Sequence, residues 1–188
     1  MIKKMSIYLF LAAMLGTGVV LTGFSGKSDE VVQPQAEQIK WLSIEEAVAA
    51  AAKDKKKIVV DVYTDWCGWC KKLDKDTYSQ AEVIAYVNRN YHAVKFNAEQ
   101  KEDITVGGVT YKYINNGRRG YHELAANMLN GRMSYPSTVF FDHQLNIITN
   151  VPGYHDAKEM LTILNFLGED AYKTTSWDTY QKNFKSPR

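Results

Sequence analysis

Residues 58–72, with the sequence IVVDVYTDWCGWCKK, constrain the fold more than any other stretch of the chain. Residues 58–63 are almost continuously apolar and rich in β-branched side chains, which predicts a strand buried on both faces. A polar, helix-compatible segment follows. If the helix begins near Cys67, that thiol is an exposed attacker at a helix N-terminus, where free N–H groups and the positive dipole end favour the thiolate. Cys70, one turn further on, is then its shielded partner, and the pair predicts thiol–disulfide chemistry.

The chain resembles the thioredoxin-like family, and specifically its exported bacterial thiol–disulfide members. The resemblance covers residues 41–168 and implies an α/β, thioredoxin-like fold with a central mixed β-sheet flanked by helices. Residues 98–134, before the cis-proline strand, are longer than the plain thioredoxin pattern, and we interpret them as a hairpin-plus-helix insertion. The matching positions are Asp61, Trp66, the pair Cys67 and Cys70, Lys71, Lys95, and the Tyr135-Pro136-Ser137-Thr138 segment that precedes an apolar strand.

The resemblance implies catalytic roles for four residues. Cys67 is the nucleophile that attacks a substrate disulfide, and Cys70 is the resolving thiol of a redox-active disulfide. Asp61 is a proton acceptor or donor for Cys70, and burial should raise its pKa. Lys95 is similar to the lysine that neighbours this acid. Alternatives stay open for each: the two cysteines as an inert staple, Asp61 as a structural carboxylate, and Lys95 as a solvated lysine.

Four further residues are expected to bind substrate. The resemblance implies a cis Pro136 that faces the cysteines and leaves the backbone of Tyr135 free to pair with an extended substrate. The alternative is a trans proline that starts an edge strand. Trp66 and Trp69 should form an aromatic rim around the sulfurs, although Trp66 could also be plain core packing. Trp69 replaces the proline of the thioredoxin motif and is expected to change the redox poise.

The first 25 residues resemble an export signal. Lys3 and Lys4 precede an uncharged run at residues 7–21, and small residues occupy the cleavage-determining positions Gly23 and Ser25. We therefore expect a signal peptide at residues 1–25, a linker at 26–40 and the domain at 41–188, in a periplasmic or secreted protein. An uncleaved membrane anchor is the alternative. The only two cysteines form one C-x-x-C, which excludes a disulfide framework.

Charge and histidine spacing restrict the partners. The chain has 23 Lys plus Arg and 21 Asp plus Glu. Without Lys3 and Lys4 the two signs balance, which gives no electrostatic argument for nucleic acid or anionic membranes. We expect protein thiol and disulfide substrates, a membrane electron donor, a monomer and no cofactor.

The second hypothesis is a non-catalytic binding module or a Cu(I) or Zn carrier that uses the same C-x-x-C, helped by Met128 or Met133. The histidines lie in separate segments: His92, His122, His143 and His155.

Local signals predict the remaining elements. Helices are expected at residues 44–55 after a Ser43/Glu46 capping box, 67–74, 80–88 after a Ser79/Glu82 capping box, 121–130 before Gly131, and 157–167 after Asp156. Strands are expected at residues 58–63, 91–97, 138–142 and 147–151, with a hairpin at 104–113 that turns at Gly107-Gly108. In the C-terminal helical tail, residues 169–188, an aromatic stripe of Trp177, Tyr180 and Phe184 is expected to pack against the core.

Overall fold

The computed structural model describes residues 37–185, so the predicted signal peptide and most of the predicted linker lie outside the described residues. The strands and helices are β1 (Trp41–Leu42), α1 (Ile44–Asp54), β2 (Lys57–Tyr63), α2 (Gly68–Leu73), α3 (Ala81–Asn90), β3 (Tyr91–Asn97), β4 (Ile104–Val106), β5 (Val109–Tyr111), β6 (Tyr113–Ile114), β7 (Tyr121–His122), α4 (Glu123–Met128), β8 (Ser137–Phe141), β9 (Ile147–Pro152), α5 (Ala157–Gly168) and α6 (Trp177–Asn183). A π-helical turn, Asp74–Tyr78, continues α2, and a 3₁₀ turn, Ala171–Lys173, follows α5.

A five-stranded mixed sheet organises these elements in the order β1-β3-β2-β8-β9. The pairs β1/β3 and β2/β3 are parallel, whereas β2/β8 and β8/β9 are antiparallel. Strand β2 therefore lies at the centre of the sheet, and its five middle residues are buried. In this register Asp61 lies beside Lys95 of β3 on one side and Thr138 of β8 on the other.

The sheet separates two hydrophobic cores, which is the helix-flanked arrangement that the resemblance implies. Ile58, Val60 and Val62 of β2 pack with α1 and α4, whereas Val59 packs on the opposite face with α3 and α5. Because side chains alternate along a strand, Asp61 projects to the same face as Val59. The core on that face also contains side chains of α2 and of the π-helical turn.

The start of α3 differs from the prediction. Helix α1 begins with the expected capping box, in which Ser43 and Glu46 exchange hydrogen bonds. The same spacing at Ser79 and Glu82 does not form a capping box, because the N-cap of α3 is Gln80, which makes no side-chain cap bond. The Ser79 hydroxyl instead donates to the carbonyl of Lys75 in the π-helical turn.

The predicted insertion, residues 98–134, contains the expected hairpin but a shorter helix. Gly107 and Gly108, with φ of 60° and 79°, turn the chain between β4 and β5. The helix predicted at 121–130 is wrong at its start, because Tyr121–His122 form a strand with β6 and α4 begins only at Glu123. His122 caps this helix, its Nδ1 accepting the backbone N–H of Leu124 at 3.2 Å.

The C-terminal part packs as expected. Asp156 is the N-cap of helix α5, and its carboxylate accepts the backbone N–H of Glu159. The rings of Trp177 and Tyr180 lie 5.4 and 5.0 Å from that of Phe166, and Phe184 stacks on Tyr180. Between residues 37 and 185 the longest apolar helix is too short to cross a bilayer.

Candidate active site

The two cysteines form a disulfide at the start of α2. Cys67 is the N-cap residue, and its Sγ accepts the backbone N–H of Cys70 at 3.0 Å. The Cα atoms lie 5.3 Å apart across the bond. The predicted contrast in exposure is small in this oxidised form, since Cys67 is 5% exposed and Cys70 is 2% exposed. When the disulfide is reduced, a hydrogen bond to Sγ of Cys67 favours its thiolate, because hydrogen bonding stabilises the charged form.

The structure brings Asp61 and Lys95 together, as the resemblance implied. The ammonium Nζ of Lys95 lies 2.7 Å from Oδ2 of Asp61. The same ammonium donates to Asp74, in the π-helical turn that continues the cysteine helix, so one cation bridges two carboxylates. Sequence reasoning missed Asp74. The available signal was its position four residues after Cys70, which places both residues on the same helix face.

Three aromatic rings surround Lys95, whose side chain is 23% exposed. Its Nζ lies 5.2 Å from the ring centroid of Trp41, 5.1 Å from that of Tyr63 and 6.0 Å from that of Tyr78. Burial lowers the pKa of Lys95, but the attraction and hydrogen bonds of its two carboxylate partners outweigh burial and raise the pKa. Lys95 therefore stays charged as the partner of a buried acid.

Asp61 is an acid that can hold a proton near neutral pH. Its side chain is 1% exposed, and burial raises its pKa to about 6 against the opposing attraction of Lys95. Its second oxygen, Oδ1, is buried without a hydrogen-bond partner within residues 37–185. An unpaired buried oxygen favours the protonated acid, because a carboxylate there lacks the hydrogen bonds that water would provide.

Trp66 is held beside the disulfide by residues from three segments. Its side chain is 51% exposed. The indole N–H donates to Oε1 of Glu99 at 3.0 Å, and the guanidinium carbon of Arg119 lies 4.3 Å from the ring centroid. The ring of Tyr135 meets it edge-on at 6.0 Å. Sequence reasoning missed Glu99 and Arg119, because both lie in the insertion and no local pattern connects them to the cysteines.

Trp69 has different neighbours. It is 59% exposed, and its ring lies 5.6 Å from that of Tyr154, which the sequence analysis did not single out. The ammonium of Lys72 lies 5.2 Å from the same tyrosine ring. The two tryptophans of the motif therefore contact separate parts of the fold, Trp66 the insertion and Trp69 the loop between β9 and α5.

The Tyr135–Pro136 peptide bond is cis, as the resemblance implied. Pro136 is buried, and its carbonyl accepts the backbone N–H of Gly153 at 2.8 Å. Because Tyr135 contacts Trp66, the loop before β8 lies against the residue that precedes Cys67. The structure thus brings the cysteine motif and the proline loop to one site.

The side chains considered as metal ligands have other contacts in the structure. No group of three or more His, Cys, Asp or Glu side chains suited to a metal occurs within residues 37–185. Met128 is fully buried in the hydrophobic core, and Met133 packs against the same core. His122 is also buried, with Nε2 3.0 Å from the carbonyl of Glu102.

The chain resembles known proteins in sequence and in fold. The thioredoxin-like domain family matches residues 44–168. A thiol:disulfide interchange protein DsbD of Pseudoalteromonas atlantica is 35% identical over 79 residues, which are 40% of this chain and only 13% of that relative's length.

Two solved structures share the fold. The DsbH oxidoreductase has a TM-score of 0.53 and 19% identity over 80% of this chain and 96% of the other. A candidate disulphide-isomerase from Bacteroides thetaiotaomicron has a TM-score of 0.53 and 26% identity over 76% of this chain and 99% of the other. The α/β architecture is therefore a thioredoxin-like fold.

Proposed function

The chain belongs to the thioredoxin-like domain family, and from that premise we propose that it is a thiol–disulfide oxidoreductase acting on protein substrates. The observation that carries the proposal is the Cys67–Cys70 disulfide at the start of α2, directly after the central strand. Cys67 and Cys70 are the catalytic pair, and Asp61 and Lys95 assist the proton transfers of these two thiols. The residues that contact the substrate are Trp66, Trp69, Tyr135 and Pro136.

The proposed reaction is a two-step reduction. The Cys67 thiolate attacks one sulfur of a substrate disulfide, which forms a mixed disulfide and releases one substrate thiol. Cys70 then loses its proton and attacks the sulfur of Cys67, which releases the second thiol and restores the Cys67–Cys70 disulfide. Two electrons pass to the substrate, and a dithiol donor must return them before the next cycle.

Asp61 is proposed to accept the proton of Cys70. A thiol shielded from water has a raised pKa, so a nearby ionised carboxylate speeds its deprotonation. The pKa of Asp61, about 6, allows this group to accept and return a proton near neutral pH, which an acid of ordinary pKa does poorly. Lys95 keeps the buried carboxylate paired while it is charged.

The cellular setting is part of the same proposal. The pattern of residues 1–25 supports export, and we propose a monomeric periplasmic or secreted protein. The direction is proposed to be reduction, with a membrane electron donor that recharges the cysteines. An exported protein has no access to cytosolic reductants, so its electrons must cross the membrane.

Insulin reduction with dithiothreitol tests the activity, and matched serine variants test the roles of the two sulfurs. Cys70→Ser should accumulate mixed disulfides with client proteins, because the resolving thiol is absent, whereas Cys67→Ser should accumulate few. Equal trapping by both variants would contradict the assignment. If the reduced protein reduces no insulin but binds Cu(I) or Zn stoichiometrically, the carrier hypothesis replaces the oxidoreductase.

A further inference from the structure

Arg119 lies over the ring of Trp66, the residue that precedes the attacking cysteine. Its guanidinium lies 4.3 Å from the Trp66 ring centroid, while Glu99 accepts the indole N–H at the edge of the same ring. Both contacts come from the insertion, residues 98–134. The insertion therefore extends to the rim of the active site, next to Cys67 in sequence.

The loop that carries Arg119 is closely packed at its base. Gly120 is buried, and a Cβ atom there would lie 2.2 Å from Oη of Tyr113 and 2.4 Å from the carbonyl oxygen of Ile114. Glycine is therefore needed for this close approach to β6. Because β6 and β7 pair with each other, both ends of the loop between them are held in place.

The guanidinium of Arg119 has no anionic partner within the described chain. Across residues 37–185 no carboxylate lies within ion-pair distance of it, and it makes no side-chain hydrogen bond; Arg118 and Arg132, the other arginines of the insertion, are likewise outside every ion pair there. A guanidinium that stacks on a ring keeps its N–H donors at its edge, where they can bind a carboxylate in a bidentate manner.

We infer that the insertion makes this site selective for polypeptides that carry Asp or Glu beside the reacting disulfide, with Arg119 as the specificity-determining residue. The inference rests on the proposed function. Trp66 directly precedes Cys67 and is exposed, so residues that flank a disulfide bound at Cys67 are expected to lie near the Arg119 guanidinium, which can receive an acidic side chain. Within residues 37–185 no carboxylate forms an ion pair with Arg119, and the Glu99 carboxylate at the edge of the same ring accepts the indole N–H instead. Arg119 therefore favours an acidic substrate over a basic one, which it would repel.

Three cyclic peptides of one sequence, each closed by a single disulfide, provide the test. The residues that flank the cysteines are Asp in the first peptide, Asn in the second and Lys in the third. With dithiothreitol as electron donor, kcat/KM should be about two- to fivefold higher for the Asp peptide than for the Asn peptide, as for a solvent-exposed ion pair. The Lys peptide should be the poorest substrate. The preference should shrink at about 1 M salt, where the Debye length is only ~3 Å.

Matched variants assign the preference to one residue. Arg119→Gln should bring the Asp-to-Asn ratio of kcat/KM close to one, and Arg119→Lys should keep a larger ratio because the charge is retained. Arg89→Gln, which removes the same charge from the exposed surface of α3, should leave the ratio unchanged. Thermal unfolding of each variant establishes that it is folded.

The outcomes separate the two proposals. Turnover of all three peptides at equal rates, or an unchanged ratio in folded Arg119→Gln, overturns the inference and leaves the oxidoreductase proposal standing. A loss of preference in Arg89→Gln as great as that in Arg119→Gln also overturns it, because the effect is then one of net charge. If the reduced protein turns over none of the peptides and no insulin, the proposed function itself fails.

Discussion

Replacing Asp61 with asparagine should stabilise the protein above about pH 7, because the change removes a buried charge at nearly constant shape. Burial raises the pKa of Asp61 from 3.8 to about 6. One pKa unit corresponds to about 1.4 kcal/mol, so keeping this carboxylate ionised costs the fold about 3 kcal/mol. The asparagine oxygen can still accept the hydrogen bond of Lys95, which Asp74 also binds.

The gain should depend on pH in a defined way. The folded protein holds the Asp61 proton up to about pH 6, whereas the unfolded chain releases it near 3.8. Between these pH values the folded state binds more protons, so the free energy of unfolding of the wild type falls as the pH rises. Asparagine does not titrate. The advantage of Asp61→Asn should therefore be small below about pH 4, grow up to about pH 6 and stay constant above about pH 7.

Urea denaturation of the oxidised proteins across this pH range measures the effect. Asp142→Asn serves as a control of opposite sign, because hydrogen bonds from Asn146 and Gln144 outweigh burial and lower the pKa of Asp142. That variant should lose stability at neutral pH and lose less in acid. A gain in Asp61→Asn that is no greater at about pH 8 than at about pH 4, or a loss of stability at both, would contradict this prediction.

Three further predictions concern the same structure. Asp61→Asn should slow resolution of the mixed disulfide near neutral pH and affect the first attack much less, since only the second step needs its carboxylate; stopped-flow tryptophan fluorescence that shows a wild-type second phase would refute the relay. Lys95→Met leaves Asp61 buried without its cation, so it should lower the free energy of unfolding by about 3 kcal/mol or more above pH 7. The loss should be much smaller in an Asp61→Asn background, and a double-mutant cycle of unfolding free energies measures the difference. Gly120→Ala forces contact with Tyr113 and should cost about 1–3 kcal/mol in urea denaturation, whereas Gly68→Ala, which has open space around its Cβ position, should cost less; equal losses would contradict the packing argument.

Elements that depend on neighbours a few residues apart could be predicted from the sequence. The β-branched run of residues 58–63 became the central strand, Ser43 and Asp156 capped the helices that follow them, and Gly107-Gly108 turned the hairpin. The order of strand, C-x-x-C and helix also places Cys67 at a helix start. These features can be predicted from the sequence because the hydrogen bonds that form them are local.

Local patterns were misleading where a second partner competed. Ser79 and Glu82 have the same spacing as Ser43 and Glu46, yet the Ser79 hydroxyl bonds to the preceding π-helical turn and Gln80 becomes the N-cap. Tyr121 and His122 suit a helix by sequence but pair with β6 instead. Neither outcome could be derived from the sequence, because each depends on where another segment of the chain lies.

The surroundings of the cysteines depend on contacts between distant segments of the chain. Lys95 was a candidate partner of Asp61 by resemblance, but the link to Asp74 exists because β3 and the cysteine helix meet on one face of the sheet. Likewise, Arg119 lies 53 residues beyond Trp66 in the sequence, and their contact depends on how the insertion folds back to the rim. Side chains so far apart in the chain meet only through packing, so residue types and spacing identify the chemistry but not what surrounds it.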